Sequence, residues 1–176
     1  MTKKLSLIPL LTLALILTSC GTRGDNNTNT FDEGVVINGV RWATRNVNRP
    51  GTFVRNPEDT GRFFTFEEAK NACPQGWRLP TQEEQQSLAD TDSEWITKNR
   101  RVNGRLFGSG NNQLFLPAAG HRYTDGTLYV VGYVGYYWSS TALSATNGWW
   151  LWLYSDGSAV GNANRNNGLS VRCVAK

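Results

Sequence analysis

The segment from Gly148 to Gly157 most constrains how this chain can fold, because it is hydrophobic on both of its faces. Successive side chains of a β-strand point to opposite sides, so one side carries Trp149, Leu151 and Leu153. The other side carries three large aromatic residues with polar groups: Trp150, Trp152 and Tyr154. We interpret the first side as a core face and the second as a contact surface.

An alternative is that both faces of this segment are buried, one against helices and the other beneath a loop. The seven tryptophans of this turn-rich chain are compatible with such packing. For four of the other tryptophans a core position is the better interpretation: Trp42, Trp77, Trp95 and Trp138. The sequence therefore favours a binding protein but leaves the buried alternative open.

Residues 1–19 predict a secretory signal, with a basic start followed by an apolar run that is too short to span a membrane comfortably. The run ends in Leu17-Thr-Ser-Cys20-Gly21, which resembles a bacterial lipobox. We therefore expect Cys20 to be lipidated and to become the N-terminus of a lipoprotein of the outer membrane. Residues 20–34 would form a flexible tether, and residues 35–176 one domain. An ordinary secretory peptide is the alternative.

The charge balance argues against nucleic acid as a partner. Removal of Lys3 and Lys4 with the signal leaves 16 basic against 14 acidic residues, and these are dispersed along the chain. Such a small excess gives no basic patch for phosphates.

Two helices are predicted, one capped by Thr65 over residues 66–73 and one that begins at the capping box Thr81-x-x-Glu84 and runs to about Ala89. The other apolar segments predict strands: Val35–Ile37, Val40–Ala43, Leu114–Pro117, Tyr129–Tyr133, Tyr137–Ser140, Trp149–Tyr154 and Ser170–Val174.

Two further cysteines, Cys73 and Cys173, remain in an exported chain, so we expect a disulfide between them. Two unpaired buried thiols are the alternative. A metal site is not expected, because His121 is the only histidine and no second cysteine lies near either thiol.

Several blocks of sequence are characteristic in combination: Gly39–Asn46, Phe66–Ala69, Cys73–Thr81, Leu116–Gly120, Gly135–Thr141 and Leu169–Cys173. Together they resemble the Fibrobacter succinogenes major paralogous domain, a family of exported bacterial proteins. The resemblance implies an α+β, C-type lectin-like fold in which two helices flank a small, mainly antiparallel sheet with long loops. The triplets with which C-type lectins hold sugar through calcium do not occur here, so calcium-dependent binding is not implied.

The segment from Gly132 to Val174 is similar to the variable region of proteins diversified by retroelements, many of which are lipoproteins. This resemblance implies a ligand-binding surface whose candidate residues are Tyr133, Tyr136, Trp150, Trp152, Tyr154, Asn162, Asn164 and Asn166. Tyrosine and asparagine supply rigid area and adaptable hydrogen bonds, as they do in antibody paratopes. A tryptophan codon is not an easy product of an asparagine codon, so Trp150 and Trp152 depart from the pattern.

Catalysis is not expected. The broad fold resembles that of formylglycine-generating enzymes, but the reactive cysteine pair of those enzymes is missing if Cys73 and Cys173 are paired. His121 lies in the same half of the chain as Ser139 and Asp125, without the strained nucleophile turn of hydrolases. We therefore predict a non-catalytic envelope protein, without cofactor, that binds a protein or glycan at the cell surface. The alternatives are a structural envelope lipoprotein without a specific ligand and an enzyme with a fold like that of the formylglycine-generating enzymes.

Overall fold

A computed structural model describes residues 30–97 and 102–176. The predicted signal at residues 1–19 and the lipidation site Cys20 lie outside the described residues, as does most of the predicted tether. No helix in the described part is long and apolar enough to cross a membrane.

The described part is built mainly from short strands. The strands are β1 (Val35–Ile37), β2 (Val40–Trp42), β3 (Val47–Arg49), β4 (Thr52–Phe53), β5 (Trp77–Arg78), β6 (Ser93–Ile96), β7 (Gly104–Ser109), β8 (Asn112–Pro117), β9 (His121–Arg122), β10 (Leu128–Tyr129), β11 (Gly135–Ala142), β12 (Asn147–Tyr154), β13 (Gly157–Asn164) and β14 (Val174–Ala175). The helices are α1 (Phe66–Ala69) and α2 (Gln82–Ala89).

The strands form several small sheets. One sheet has the order β1-β2-β14-β5, a second β6-β7-β8 and a third β11-β12-β13. The pairs β3-β4 and β9-β10 form two-stranded ribbons. All of these pairings are antiparallel.

The predicted α+β, C-type lectin-like fold is wrong, because the described part is mostly β and its two helices do not flank one sheet. The first helix has only 4 residues rather than the predicted 66–73. Turns follow it directly, and Pro74 and Gly76 then prevent its continuation. The second helix has 8 residues, so helices supply little of the structure.

Both helix starts are confirmed at the level of individual hydrogen bonds. The side chain of Thr65 accepts from the backbone of Glu68, and that of Thr81 accepts from the backbone of Glu84. Each glutamate in return accepts from the backbone nitrogen of its threonine. The capping boxes thus place both helix starts correctly.

Two strand predictions are only partly right. The strand predicted over Tyr129–Tyr133 ends at Tyr129, because Val130 and Gly132 adopt positive φ values of 49° and 84° and turn the chain. The strand predicted over Ser170–Val174 is paired as a strand only at Val174–Ala175, with Ser170 forming one isolated bridge to Tyr137.

Two hydrophobic cores lie on opposite sides of the β11-β12-β13 sheet. The first core contains Phe64, Phe66, Trp138, Leu169 and Val171 among others. The second contains Trp42, Leu88, Phe107, Tyr137, Leu151 and Leu153 among others. Trp42 and Trp138 are fully buried as predicted, whereas Trp77 and Trp95 are half-buried at the edges of the cores.

A buried arginine links the last segment of the chain to the first strands. Arg172 donates from Nε to Asn46 Oδ1 (2.9 Å) and from Nη1 to the carbonyl of Ala43 (3.0 Å). Burial lowers the pKa of Arg172 to about 10, so the guanidinium stays charged at neutral pH. These bonds compensate in part for its removal from water.

The disulfide between Cys73 and Cys173 is confirmed, with the two Cα atoms 6.0 Å apart. Cys173 is fully buried in the first core, and Cys73 packs at its edge. The bond therefore joins the turn after α1 to the segment that enters β14.

Loss of this disulfide should lower the free energy of unfolding by about 4–5 kcal/mol, because it closes a loop between residues separated by 100 positions. Denaturant unfolding of the wild type and of the Cys73→Ser, Cys173→Ser double variant would measure the difference. Equal unfolding midpoints for the two proteins would contradict the expectation.

Candidate functional site

The register of β11, β12 and β13 decides which side chains share a face. Residues directly opposite each other lie on the same side of an antiparallel sheet. Tyr137, Leu151 and Val160 are aligned across the three strands. This face, with Leu153, covers the second core, and Leu151 and Leu153 are fully buried as the sequence suggests.

Helix α2 covers this face of the sheet. Gln85 donates from Nε2 to the carbonyl of Tyr137 (2.9 Å), and Ser158 donates from Oγ to the carbonyl of Ala89 (3.2 Å). Leu88 of the same helix is buried in the second core. The face is therefore closed to ligands along much of its length.

The opposite face is covered along only half of its length. Trp138 is fully buried in the first core, and its indole donates to the carbonyl of Phe64 (2.7 Å). Gly148 lies directly against the ring of Phe66, where a Cβ would come within 2.4 Å of that ring. Beyond Trp150, the side chains of Trp152 and Tyr154 lie outside the residues of either core and are half-buried.

Trp150 marks the border between the covered and the open half. Its indole stacks on Tyr136, with ring centroids 4.4 Å apart and planes 6° from parallel. The indole also lies against Gly161, where a Cβ would come within 2.5 Å of Nε1, so glycine allows the close approach. The Nε1 atom is buried without a hydrogen-bond partner among the described residues. Trp150 is thus partly a packing residue.

The open half continues into a run of neighbouring rings. Tyr136 contacts the imidazole of His121 at 4.9 Å between centroids, and His121 contacts Tyr123 at 4.5 Å and Tyr129 at 5.7 Å. On the other side Tyr136 lies directly opposite Trp152, which stacks on Tyr154 at 4.6 Å. We call this set the aromatic strip: His121, Tyr123, Tyr129, Tyr136, Trp150, Trp152 and Tyr154.

The β9-β10 ribbon supplies three of these rings. His121 and Tyr129 are directly opposite each other in it. The turn between its strands is closed by Asp125, whose Oδ1 accepts from the backbone nitrogen of Thr127 (2.8 Å), and by Gly126 with φ of 91°. A bridge between Gly120 and Gly135 joins the ribbon to the start of β11. Local turn chemistry therefore positions the rings beside Tyr136.

His121 is the one buried titratable group of the strip. It is 7% exposed, and its Nδ1 has no hydrogen-bond partner among the described residues. Burial lowers the pKa of His121, and burial raises the pKa of the neighbouring Tyr136 phenol. Both groups are therefore neutral near pH 7, and the strip presents an uncharged surface here.

The predicted binding residues do not form one surface. Tyr136, Trp150, Trp152 and Tyr154 lie together on the open face, and Tyr133 is 74% exposed in the loop before β11. Asn162 and Asn164 lie on the opposite face, because they are paired with Trp149 and Asn147. The Nδ2 atom of Asn147 donates to Oδ1 of Asn162 (2.9 Å).

Asn166 belongs to the turn after β13, where its backbone nitrogen donates to Oδ1 of Asn164 (3.0 Å). Asn162 and Asn164, which the sequence analysis places on the ligand-binding surface, therefore point away from the aromatic strip. The reason is the alternation of side chains along β13, which the sequence alone did not place in register with β12.

The sequence analysis missed three residues of the strip: His121, Tyr123 and Tyr129. The sequence does contain a signal for a β-hairpin here. His121 and Tyr123 occupy alternate positions before the Asp125-Gly126 turn, and Tyr129 follows that turn. The strand predicted from the sequence begins at Tyr129 and lacks the hairpin partner that β9 provides.

Two hollows of 390 and 420 Å³ in the described part of the chain are both lined by Asp59 and Thr60, the first also by Val102, and neither is lined by a residue of the strip. Within residues 30–97 and 102–176, no group of His, Cys, Asp and Glu side chains could hold a metal ion. The strip is a surface rather than a pocket.

The lowered pKa of His121 predicts acid sensitivity. The unfolded chain binds a proton more readily than the folded state, so stability should be lost as pH falls below about 6.5. Thermal midpoints between about pH 7.5 and about pH 5.5 should fall more steeply for the wild type than for His121→Phe, which keeps a ring and removes the titration. The chain has one histidine, so parallel curves would contradict the assignment.

Comparison with known proteins identifies the family. No curated protein and no solved structure matches this chain significantly. The family model described as the Fibrobacter succinogenes major domain matches residues 23–175, which is nearly the whole chain after the predicted signal. The chain therefore belongs to the Fibrobacter succinogenes major domain family.

Proposed function

We propose that this protein is a non-catalytic, lipid-anchored protein of the outer membrane that binds a protein or glycan ligand at the cell surface. The aromatic strip would be its binding surface, and no cofactor would be needed. The observation that carries the proposal is a run of rings that neither core covers completely, in which two groups of contacting rings are joined by the pairing of Tyr136 with Trp152.

The exposure of these rings and their neighbours supports binding. Tyr123 is 41% and Tyr129 is 53% exposed, and Leu128, Val131 and Tyr133 of the same region are also exposed. Exposed apolar side chains of this kind in one region are uncommon in isolated domains and usually mark interaction sites. Tyrosine and tryptophan are also the residues that most often dominate binding energy at interfaces.

The chemistry of the strip suits a macromolecular ligand. Its phenol and indole groups combine large apolar area with hydrogen-bonding ends, and its rings hold one another by stacking and edge-to-face contacts. Rings fixed in this way lose little conformational freedom when a ligand binds. An open strip engages an extended surface more readily than it encloses a small molecule.

Trp152→Ala should weaken binding by about thirtyfold or more, because Trp152 lies in the open half at the centre of the strip. Trp149→Ala is the matched control, because Trp149 is a half-buried tryptophan of the same strand whose side chain lies on the opposite face. Ligands recovered with the wild-type protein from a glycan array and from surface extracts would be measured against each variant by biolayer interferometry.

The expected pattern is loss of binding for Trp152→Ala and binding within about threefold of wild type for Trp149→Ala. Equal effects of the two substitutions would contradict the assignment of the surface. The absence of any ligand for the wild type would favour the structural envelope lipoprotein instead. Trp150 is unsuitable for this test, since its loss would remove packing from the first core.

Diversification of this surface by a retroelement remains a prediction. It would require a near-copy of the 3′ end of the gene beside a reverse transcriptase gene. In such a copy, adenines should fall at codons of the open face, including those of Tyr136 and Tyr154. Adenines confined to codons of buried residues such as Leu151 would contradict it.

A further inference from the structure

The two edges of the β11-β12-β13 sheet differ in how the chain covers them. At the β11 edge, the carbonyl of Ser170 accepts from the backbone nitrogen of Trp138 (3.1 Å), and the nitrogen of Ser170 donates to the carbonyl of Tyr136 (3.0 Å). At the β13 edge, no described strand pairs with the outer side. Every residue of β13 is half-buried or exposed, so solvent reaches this strand along its length.

The hairpin geometry shows which backbone groups of β13 point outward. A two-residue turn joins β12 to β13, and Tyr154 lies directly opposite Gly157. Such a pair exchanges both of its hydrogen bonds, and bonded pairs then alternate with unbonded pairs along the antiparallel ladder. Every second residue from Gly157 onward therefore bonds to β12. The N–H and C=O groups of Ser158, Val160 and Asn162 point away from it, and none of them bonds to a described residue.

Strand β13 also lacks the features that usually protect a free edge. Its eight residues include no charged side chain and no proline. Its pairing with β12 continues without a register shift, so no β-bulge bends the edge away. Edge strands normally carry such features, because unpaired backbone groups recruit another strand. The edge strand β6, for comparison, is shorter and carries the exposed carboxylate of Glu94.

Small side chains leave room between this edge and the aromatic strip. Ala159 and Gly161 lie on the open face, directly opposite Trp152 and Trp150. The indole of Trp150 reaches over Gly161, where a Cβ would come within 2.5 Å of Nε1. A strand added outside β13 would place every second side chain on this face. Large side chains at those positions would lie next to the two tryptophans.

We propose that the outer edge of β13 binds an extended peptide segment of a partner protein, which adds a fourth strand to this sheet. The peptide backbone would bond to the outward groups of Ser158, Val160 and Asn162, and its larger side chains would pack beside Trp150 and Trp152. An extended polypeptide presents alternating donors and acceptors at the spacing of this edge, and a glycan does not. The inference rests on the proposed function and deepens it, because it selects protein over glycan as the ligand.

Charge at the Ser158 end of the edge favours a basic segment. Oγ of Ser158 donates to the carbonyl of Ala89, which places the following residue, Asp90, near this end. Asp156 lies in the turn just before β13. Both carboxylates are exposed and form no ion pair with a described residue, and the buried Arg105 acts on Asp156 only through space. A lysine or arginine at this end of the peptide would complement them.

A second copy of the chain fits this edge less well than a peptide with large side chains. Antiparallel pairing of two β13 strands would place Ala159, Gly161 and Ala163 of each copy on the same open face. These side chains are too short to fill the space beside Trp150 and Trp152. The pairing would therefore gain backbone hydrogen bonds but little contact with the aromatic strip.

Amide hydrogen exchange of the protein alone tests the assignment of the edge. The amides of Ser158, Val160 and Asn162 should exchange at least about tenfold faster than those of Ala159 and Gly161, because only the latter two bond to β12. Exchange at equal rates along β13 would show that the outward groups already have partners, and would overturn the proposal.

The direct binding test uses a seven-residue peptide in which threonine and tyrosine alternate between two terminal lysines. Its three threonines would pair with Ser158, Val160 and Asn162, and its two tyrosines would lie on the open face. N-methylation of the threonines should weaken binding by about tenfold or more, because it removes the donors that face the edge. N-methylation of the tyrosines should change binding by less than about threefold, because those amides point away.

Binding of these peptides would be followed through the amide resonances of β13. Saturable shifts at Ser158, Val160 and Asn162, with the expected difference between the two N-methylated peptides, would support strand addition. Equal weakening by both modifications, or no binding of the unmodified peptide, would overturn the proposal. These measurements use the wild-type protein, so they do not depend on the folding of any variant.

Substitution of Asn162 tests the same edge from the side of the protein. Asn162→Pro should weaken peptide binding by about tenfold or more, because proline removes an outward N–H and is tolerated where that group faces solvent. Asn162→Ala is the matched control: it also loses the side-chain hydrogen bond to Asn147 but keeps the backbone donor. It should bind within about threefold of the wild type. Equal binding by the two variants would contradict the proposal.

The outcomes also separate strand addition from the proposed function. A natural ligand that Trp152→Ala loses but Asn162→Pro retains would keep the strip as the binding surface and overturn strand addition. Peptide binding with the expected pattern, but no natural ligand, would support the edge site and leave the proposed function unsupported. Dimers that form with increasing concentration and that Asn162→Pro abolishes, measured by analytical ultracentrifugation, would assign the edge to a second copy and overturn the proposal.

Discussion

The structure depends on a single strand that packs on both of its faces. Leu151 and Leu153 of β12 seal the second core, while the indole of Trp150 on the other side lies against the first. Both cores therefore share this strand. The first core ends before Trp152, so the same strand that joins the cores also leaves rings open to solvent. The proposed binding surface would thus be a consequence of how the cores are divided.

The last segment of the chain holds this arrangement together. Cys173 is bonded to Cys73, and Arg172 donates to groups near β2 and β3. Between these anchors and β11, the backbone of Ser170 bonds to Tyr136 and Trp138, the residues on either side of the buried Tyr137. The segment is almost fully buried although it forms little regular strand. Its irregular backbone is satisfied by such individual bonds, which is why a loop can lie in the interior.

Local chemistry was predictable from the sequence, and tertiary arrangement was not. The capping boxes at Thr65 and Thr81, the disulfide and the alternation along β12 each follow from residues near in sequence or from a single pair of cysteines. The fold class was wrong, because short helices bounded by proline and glycine carry less of the structure than the family resemblance implied. Strand alternation correctly placed Trp152 and Tyr154 on the face opposite Leu151 and Leu153. The register that turns Asn162 away and the hairpin that brings in Tyr129 depend on the pairing of β12 with β13 and of β9 with β10, which the sequence analysis did not assign.

The most direct test of the central claim is hydroxyl-radical footprinting of the protein with and without its captured ligand. Oxidation of Trp152, Tyr154, Tyr123 and Tyr129 should decrease in the complex, because the ligand covers the open face and the hairpin. Oxidation of Trp149 should be unchanged, since its side chain lies on the reverse face of the same strand. Protection of Trp149 without protection of Trp152 would contradict the account and would move the binding surface to the other side of the sheet.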